Sequence, residues 1–400
     1  MSPQRTINEQ LRSAEWLMRP ETQRLLAMLD GAQRRTRAVG GIVRDTLLGV
    51  AHQGNDVDFA TELTPDEVAH RASRGGAAVH PTGIEHGTLT LRLDNLVAEV
   101  TTLRRDIETD GRRAVVAFGT DWHEDAARRD FTLNALYAEM DGGLFDPLGG
   151  VADCLARRVR FIGRPEQRIE EDRLRVYRFF RFSASHAAER FDVAGLRACV
   201  AAAGTLDNLA AERVGTEMRR MLALPRVAKT LTAMKSASIL DLPATTLDRL
   251  HVYERRVRRP EYSARLAIIL AQTDTAWLRE RWRLPNEDLR VAAAIQAAAG
   301  LLADFSLNEA AYRYPAALSD AVEVAAVLHQ WTEAGRLAVR EQLERVEVQR
   351  FPIGGADLIE RGIRPGPLLG SELERLERMW IESAFSLDRD ALLTAIRRTD

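Results

Sequence analysis

The sequence predicts an α+β protein, with a mixed head over residues 1–155 followed by an all-helical remainder. Three observations point there. Period-two alternation is confined to roughly the first 150 residues. A glycine pair, Gly40-Gly41, joins an extended stretch to a helical one. From about Pro165 onward, Ala, Leu, Arg and Glu recur at helical spacing and strand signals nearly vanish.

Taken in order, Thr22–Gln33 reads as an N-terminal helix. Arg37–Val39 is short and extended. Beyond the glycines Ile42–Leu48 is helical, with Gly49 placed to end it. Asp56–Ala60 alternates as a strand. Thr64-Pro65-Asp66-Glu67 has capping-box spacing with Pro at the first helical position, which predicts a helix to about Ser73. Thr88–Leu93 and Leu96–Leu103 alternate around the two-residue connection Asp94-Asn95 and form a hairpin. In the helical part, Glu171–Arg181 reads as one helix packed through Leu174, Tyr177 and Phe180.

A chain of 400 residues exceeds one compact core, so two or more domains are expected. The longest apolar runs, such as Leu266–Ala271, fall far short of a membrane span. Met1–Arg5 lacks the apolar core of a secretory signal. Cys154 and Cys199 form neither a metal spacing nor a disulfide framework, and a cytoplasmic protein is expected. A net charge of −2 excludes a uniformly basic surface, yet charge is unevenly spread. Arg157–Arg181 holds nine Arg and four acids, and Arg213–Lys235 holds six basic residues against Glu217 alone. Such faces can hold phosphates, although each taken alone reads equally well as a solvated helix face. Trp277, Trp282, Trp331 and Trp380 read as core rather than base-stacking platforms.

The chemistry concentrates in Gly40-Gly41-Ile42-Val43-Arg44-Asp45 and Asp56-Val57-Asp58. Two glycines between a strand and a helix let the backbone approach a phosphate and present helix N-terminal N–H groups to it. Arg44, one turn in, can add a charge-assisted contact. Asp56 and Asp58, two apart on a strand, share a face and repel unless a cation lies between them. Two hard carboxylates suit Mg²⁺ arriving with a triphosphate, and Glu99 on a later strand can supply a third. An isolated Asp-x-Asp is weak, since most such matches are turns or solvated strands; the glycine turn ahead of it makes a phosphoryl-transfer site the better reading.

Gly40–Gly49 with Asp56-Val57-Asp58 resembles the first motif of class II tRNA nucleotidyltransferases, in the polymerase-β superfamily. Four further segments agree in the family's order: Arg128–Ala135, its ribose and phosphate motif; Asp146–Asp153, its hinge; Glu171–Arg178, its nucleotide-reading motif; and Glu212–Glu217, which buttresses the last. The resemblance spans roughly Val39 to Leu222 and implies a polymerase-β-like head followed by an all-α neck, body and tail. It divides the chain into a catalytic head at 1–155, a base-recognising neck at 156–225 and a tRNA-binding body and tail at 226–400. It further implies addition or repair of the CCA end of tRNA from CTP and ATP, with Asp56 and Asp58 on Mg²⁺ and Glu99 beside them. Arg129, Arg178 and Arg181 are then phosphate or nucleotide ligands, and Asp130 and Asn134 read ribose hydroxyls. Without the resemblance Asp130 could equally cap a helix. The spacer Val50–Asn55 is about two residues longer than the family's usual one.

On a helix, Asp172 and Arg175 share a face. Aspartate only accepts hydrogen bonds and guanidinium only donates them. Cytosine and adenine both present an amine donor beside a ring-nitrogen acceptor, whereas uracil and guanine present the reverse. The pair therefore admits C and A, and each buried mismatch against U or G costs about 1–3 kcal/mol. Outside this context the two form an ordinary surface ion pair. Arg104–Phe118, including Arg104, Asp110 and Arg112, resembles the flexible loop that lets such a site switch from C to A. Thr82–Thr88 and Ala98–Arg104 resemble the CCA type more than bacterial poly(A) polymerases. A-adding and CC-adding enzymes, a poly(A) polymerase, and a non-catalytic RNA-binding protein are the other readings. Expected partners are tRNA, at its acceptor stem and elbow, and nucleoside triphosphates, with no membrane and no protein partner.

Overall fold

The computed structural model describes residues 3–50, 56–84, 87–109 and 114–397. They divide into two compact units, Met1–Ala210 with Ala233–Leu240, and Ala211–Thr232 with Asp241–Asp400.

The first unit contains every strand: β1 Thr36–Val39, β2 Asp56–Thr61, β3 Ala78–Gly83, β4 Thr88–Leu93, β5 Leu96–Thr102, β6 Arg104–Thr109, β7 Ala114–Phe118, β8 Tyr137–Ala138 and β9 Leu144–Phe145. Seven form one sheet in the order β3-β4-β5-β2-β1-β8-β9. Neighbours run antiparallel except β2 and β5, which are parallel. One face is apolar, with Val57, Phe59, Leu89, Leu91, Ala98 and Val100 buried. The Pro65–Arg74 helix packs there against β3, β4 and β5. Its predicted capping box is present: Thr64 N–H donates to Glu67 Oε2 at 2.8 Å, and Glu67 N–H donates to Thr64 Oγ1 at 3.4 Å.

The opposite face changes character across the sheet. On the β1–β8 side it is closed, because Val39, Ala60, Leu103 and Tyr137 pack with Trp122 and Ala126 of the Trp122–Ala127 helix. Toward β5, β4 and β3, Glu99, Arg92 and His80 stand exposed.

Three local expectations change. Thr22–Gln33 is not one helix: Pro20–Met28 is helical, Asp30 adopts φ 57, and Gly31–Gln33 forms a separate 3-10 turn. Glu171–Arg181 is broken at Asp172, between the helices Pro165–Glu171 and Arg175–His186. Arg104–Phe118, expected as a loop, pairs as the antiparallel ribbon β6–β7, with Arg104 opposite Phe118. Asp110 and Arg112 lie outside the described residues, as do 51–55 of the spacer.

Beyond β9 no further strand occurs among the described residues. In the second unit, Arg265 is fully buried and donates to Glu254 and to the Leu222 and Pro225 carbonyls. Trp282 and Trp380 are core, the latter in a cluster with Leu358, Leu376 and Phe385, while Trp277 and Trp331 are half-buried. Among the described residues no helix is long and apolar enough to cross a membrane.

Candidate active site

β1 delivers the chain into Gly40, whose φ of 77 and ψ of −126 suit glycine. Gly41 then opens the Gly41–Leu47 helix. β1 and β2 pair Thr36 with Thr61 and Ala38 with Phe59; one residue further, the same register sets Val39 opposite Asp58. The glycine turn therefore lies at the end of the sheet where Asp56 and Asp58 begin β2. Both carboxylates are exposed, as period two requires, with Val57 buried between them. The parallel pairing places Glu99 directly beside Asp58. All three predicted acids thus share one face.

Arg44 is buried and already occupied. Its guanidinium grips both oxygens of Asp45, at 2.8 and 3.1 Å, and donates to Asn134 Oδ1 at 2.6 Å. Asn134 Nδ2 donates to Asp130 Oδ1 at 3.0 Å, and Asp130 Oδ2 receives both Nε and Nη2 of Arg178. Four of the predicted nucleotide ligands are therefore one connected network. His186 extends it, its Nε2 lying 3.2 Å from Asp45 Oδ1. Burial alone would raise the Asp45 carboxyl, but hydrogen bonds from His186 and Arg44 bring it down to about 2. Burial likewise opposes ionisation of Asp130, and the Arg178 charge reverses the effect. The ring of Phe182 has Arg44, Arg178 and Arg181 within 5.3, 5.4 and 4.3 Å of its centre.

Arg129 is fixed by a second buried acid. Its Nε donates to Asp125 Oδ2 at 3.2 Å and to the Tyr137 hydroxyl at 3.1 Å, and that hydroxyl donates to the same carboxylate at 2.9 Å. The segment Asp146–Asp153 is held by its own turn and by close packing. Asp146 accepts from the Gly150 and Val151 N–H groups, and any Cβ on Gly150 would meet the Thr132 carbonyl at 2.1 Å.

Asp172 is not a helix-face neighbour of Arg175. It caps the break, accepting the Leu174 N–H at 3.1 Å through its own carboxylate. Arg175 Nη1 donates to Glu171 Oε2 and the Arg168 carbonyl, and its Nη2 donates to the Arg128 carbonyl. Arg104 is half-buried at the base of the ribbon. Glu212–Glu217 falls in the second unit, where Gly215 approaches the Trp282 carbonyl so closely that a Cβ would lie 1.6 Å from it.

Asp45, Asp125, Phe182 and His186 were missed by sequence reasoning. Asp125 carried a usable signal, since it precedes Arg128 and Arg129 by three and four residues. The other three carried none beyond their place in a motif.

The donor set facing outward is hard oxygen, which fits Mg²⁺. Among the described residues no group of three or more His, Cys, Asp or Glu forms an all-protein cage. A pair of exposed carboxylates is what Mg²⁺ uses when substrate phosphates and water complete its shell.

A glycine turn at a helix N-terminus, beside paired carboxylates on one face of a mixed sheet, defines a nucleotidyltransferase head, and residues 36–160 match the poly A polymerase head domain family. The chain is 33% identical over 381 residues to CCA tRNA nucleotidyltransferase 1, mitochondrial, of Danio rerio, covering 92% of this chain and 88% of that one. It is 30% identical over 394 residues to the CCA-adding enzyme of Levilactobacillus brevis, covering 93% and 96%. The crystal structure of the Bacillus stearothermophilus CCA-adding enzyme in complex with CTP matches with a TM-score of 0.77 at 25% identity, over 94% and 97% of the two chains. The chain belongs to the CCA-adding tRNA nucleotidyltransferase family.

Proposed function

We propose that this enzyme completes or repairs the 3′-terminal CCA of tRNA from CTP and ATP, without a template, by metal-dependent nucleotidyl transfer. The observation that carries the reading is the register that sets Glu99 beside Asp58 and the glycine turn at the same end of the sheet. Asp56 and Asp58 would hold Mg²⁺, which supplies charge neutralisation at the triphosphate and a more acidic attacking hydroxyl. The Gly40-Gly41 backbone would meet the phosphates, with Arg44, anchored on Asp45 and Asn134, turning its remaining N–H groups toward them; Arg129, Arg178 and Arg181 would join it, while Asp130 and Asn134 would address the ribose. The tRNA 3′-oxygen forms a bond to the α-phosphorus as the bond to pyrophosphate breaks.

Base choice falls to Asp172 and Arg175. Among the described residues Arg175 uses three of its five N–H groups, leaving Nε–H and one Nη2–H to donate to a base edge. The accepting partner is the Asp172 carboxylate, and this donor–acceptor pair matches C and A. Arg104, Asp110 and Arg112 of the ribbon would serve the switch between them. Residues 1–155 then act as head, 156–225 as base-recognising neck, and 226–400 as body and tail holding the acceptor stem and elbow through phosphates and shape. Two buried free thiols, Cys154 and Cys199, suit the cytoplasm.

The test offers purified protein three tRNA transcripts, lacking all of CCA, its last two nucleotides, or only the final A. CTP and ATP are supplied separately and together. Full CCA addition extends each transcript to the same end. Extension only by A, only by CC, or as a long A tail would assign the chain to an A-adding, CC-adding or poly(A)-polymerase activity, and no extension would leave an RNA-binding protein.

A further inference from the structure

In-line transfer needs the attacking 3′-hydroxyl and the leaving pyrophosphate on opposite sides of the α-phosphate. The glycine turn fixes the phosphate side next to β1, where Trp122 and Ala126 close the carboxylate face over Val39 and Ala60. Away from β1, Glu99, Arg92 and His80 on the same face are exposed among the described residues. Strand register draws a straight row there: Asp58 on β2, Glu99 on β5, Thr90 on β4 and His80 on β3. Asp56, Val97 and Arg92 form the row on one flank; Ala60, Thr101 and Thr88 form the row on the other.

The chemistry of this strip suits a polynucleotide end. Arg92 and His80 are exposed. Thr82 and Thr90 share a hydrogen bond of 2.7 Å, and Thr88 and Thr101 one of 3.0 Å. Each hydroxyl pair uses one hydrogen internally and keeps a second O–H for a ligand. From Glu99 to His80 the strip measures about 10 Å at ~4.8 Å per strand, room for two or three nucleotides stacked at ~3.4 Å. Threonine is common on solvated strands; this strip is singled out by its place, since it adjoins the carboxylates on the side away from the closed β1 end.

We infer that the β5–β4–β3 strip seats the 3′ end of the RNA primer. The terminal ribose lies over Glu99 and Thr90 with its 3′-hydroxyl toward Asp58, Arg92 takes the adjoining phosphodiester, and the His80 ring lies against a base. This assignment rests on the nucleotidyl-transfer reading above. Arg92, Thr90 and His80 are positioning residues for the primer and make no contact with the incoming triphosphate.

Steady-state kinetics with tRNA lacking CCA separate the two substrates. Arg92→Gln and Thr90→Val should each raise KM for tRNA about tenfold, the loss of one charged or well-placed hydrogen bond, with KM for CTP unchanged. Arg92→Lys and Thr90→Ser should recover most of it. In a second measurement, wild-type protein is irradiated with a primer ending in 4-thiouridine, and the crosslink should map to residues 78–92. Unchanged KM for tRNA in both variants, an equal rise in KM for CTP, or a crosslink elsewhere would overturn the strip. Wild-type protein that crosslinks within the strip but incorporates nothing would instead overturn the enzymatic reading.

Discussion

Asp130 receives both arms of the Arg178 guanidinium, at 2.8 and 2.5 Å, and its other oxygen accepts from Asn134. Asn134 in turn accepts from Arg44, so the helix after the glycine turn and the Arg175–His186 helix are tied by hydrogen bonds through one buried carboxylate. Removing that carboxylate takes two charge-assisted hydrogen bonds from a half-buried cation, and Asp130→Ala should cost about 3 kcal/mol. Urea unfolding measures the loss, and a parallel rise in KM for both CTP and ATP would show that the network also positions nucleotide ligands.

Asp56→Ala and Asp58→Ala should each lower nucleotide incorporation roughly 10³-fold, equivalent to ~4 kcal/mol of lost transition-state stabilisation. Filter binding of tRNA should stay within about twofold of wild type, since the acceptor stem and elbow are held mainly elsewhere, through phosphates and shape. Chelation with EDTA should reproduce the loss in wild-type protein, and added Mg²⁺ should restore it. Full activity in both variants would remove the metal assignment.

Asp172→Ala removes the one acceptor proposed to read the exocyclic amine of C and A. Discrimination against UTP and GTP should relax by about 10- to 100-fold in kcat/KM, matching ~1–3 kcal/mol per mismatch. Because Asp172 also caps the helix break by accepting from Leu174, Asp172→Asn is the sharper variant: its side-chain oxygen can still cap, but its amide adds donors. Unchanged selectivity in both would exclude the residue from base choice.

Asp45 sets an acid limit on stability. Burial works against its charge, yet His186 and Arg44 hold the carboxyl at about 2 against an ordinary 3.8. A carboxyl depressed by folding binds more protons in the unfolded chain, so its contribution is complete above about pH 4 and disappears as pH falls toward 2. Wild type should therefore exceed Asp45→Asn by ~2 kcal/mol near neutral pH, and the two unfolding curves should converge as the pH is lowered through that window.

The parts of the fold legible in the sequence were those with a strong local period. β4 and β5 alternate in burial along their whole length and β2 does so over Asp56–Phe59, and Thr64–Glu67 announces its helix by a side-chain bond that needs no tertiary context. β3 was hidden because Ala78–Gly83 contains Pro81 and Gly83 and is held by pairing with β4 alone. β8 and β9 are two residues each, too short for a period to register. The break at Asp172 was invisible for another reason. Neither Gly nor Pro marks it; a carboxylate competes for the Leu174 N–H and ends one helix before the next begins. At the candidate site, residue types and spacing were enough to expect Asp56, Asp58 and Glu99 on one face, where the register sets them. The internal pairing of Arg44, Asn134, Asp130 and Arg178 joins segments up to 134 positions apart, and no local pattern encodes it.

The single parallel pairing in the sheet also bears on how the chain acquires activity. Antiparallel partners can be joined by a tight turn, but parallel ones require a crossover, and here roughly forty residues separate Asp58 from Glu99. Closing so long a loop is entropically slow compared with winding local helices. Recovery of incorporation after dilution from denaturant should consequently lag the return of helical circular dichroism, making catalysis a late reporter of a correctly threaded head.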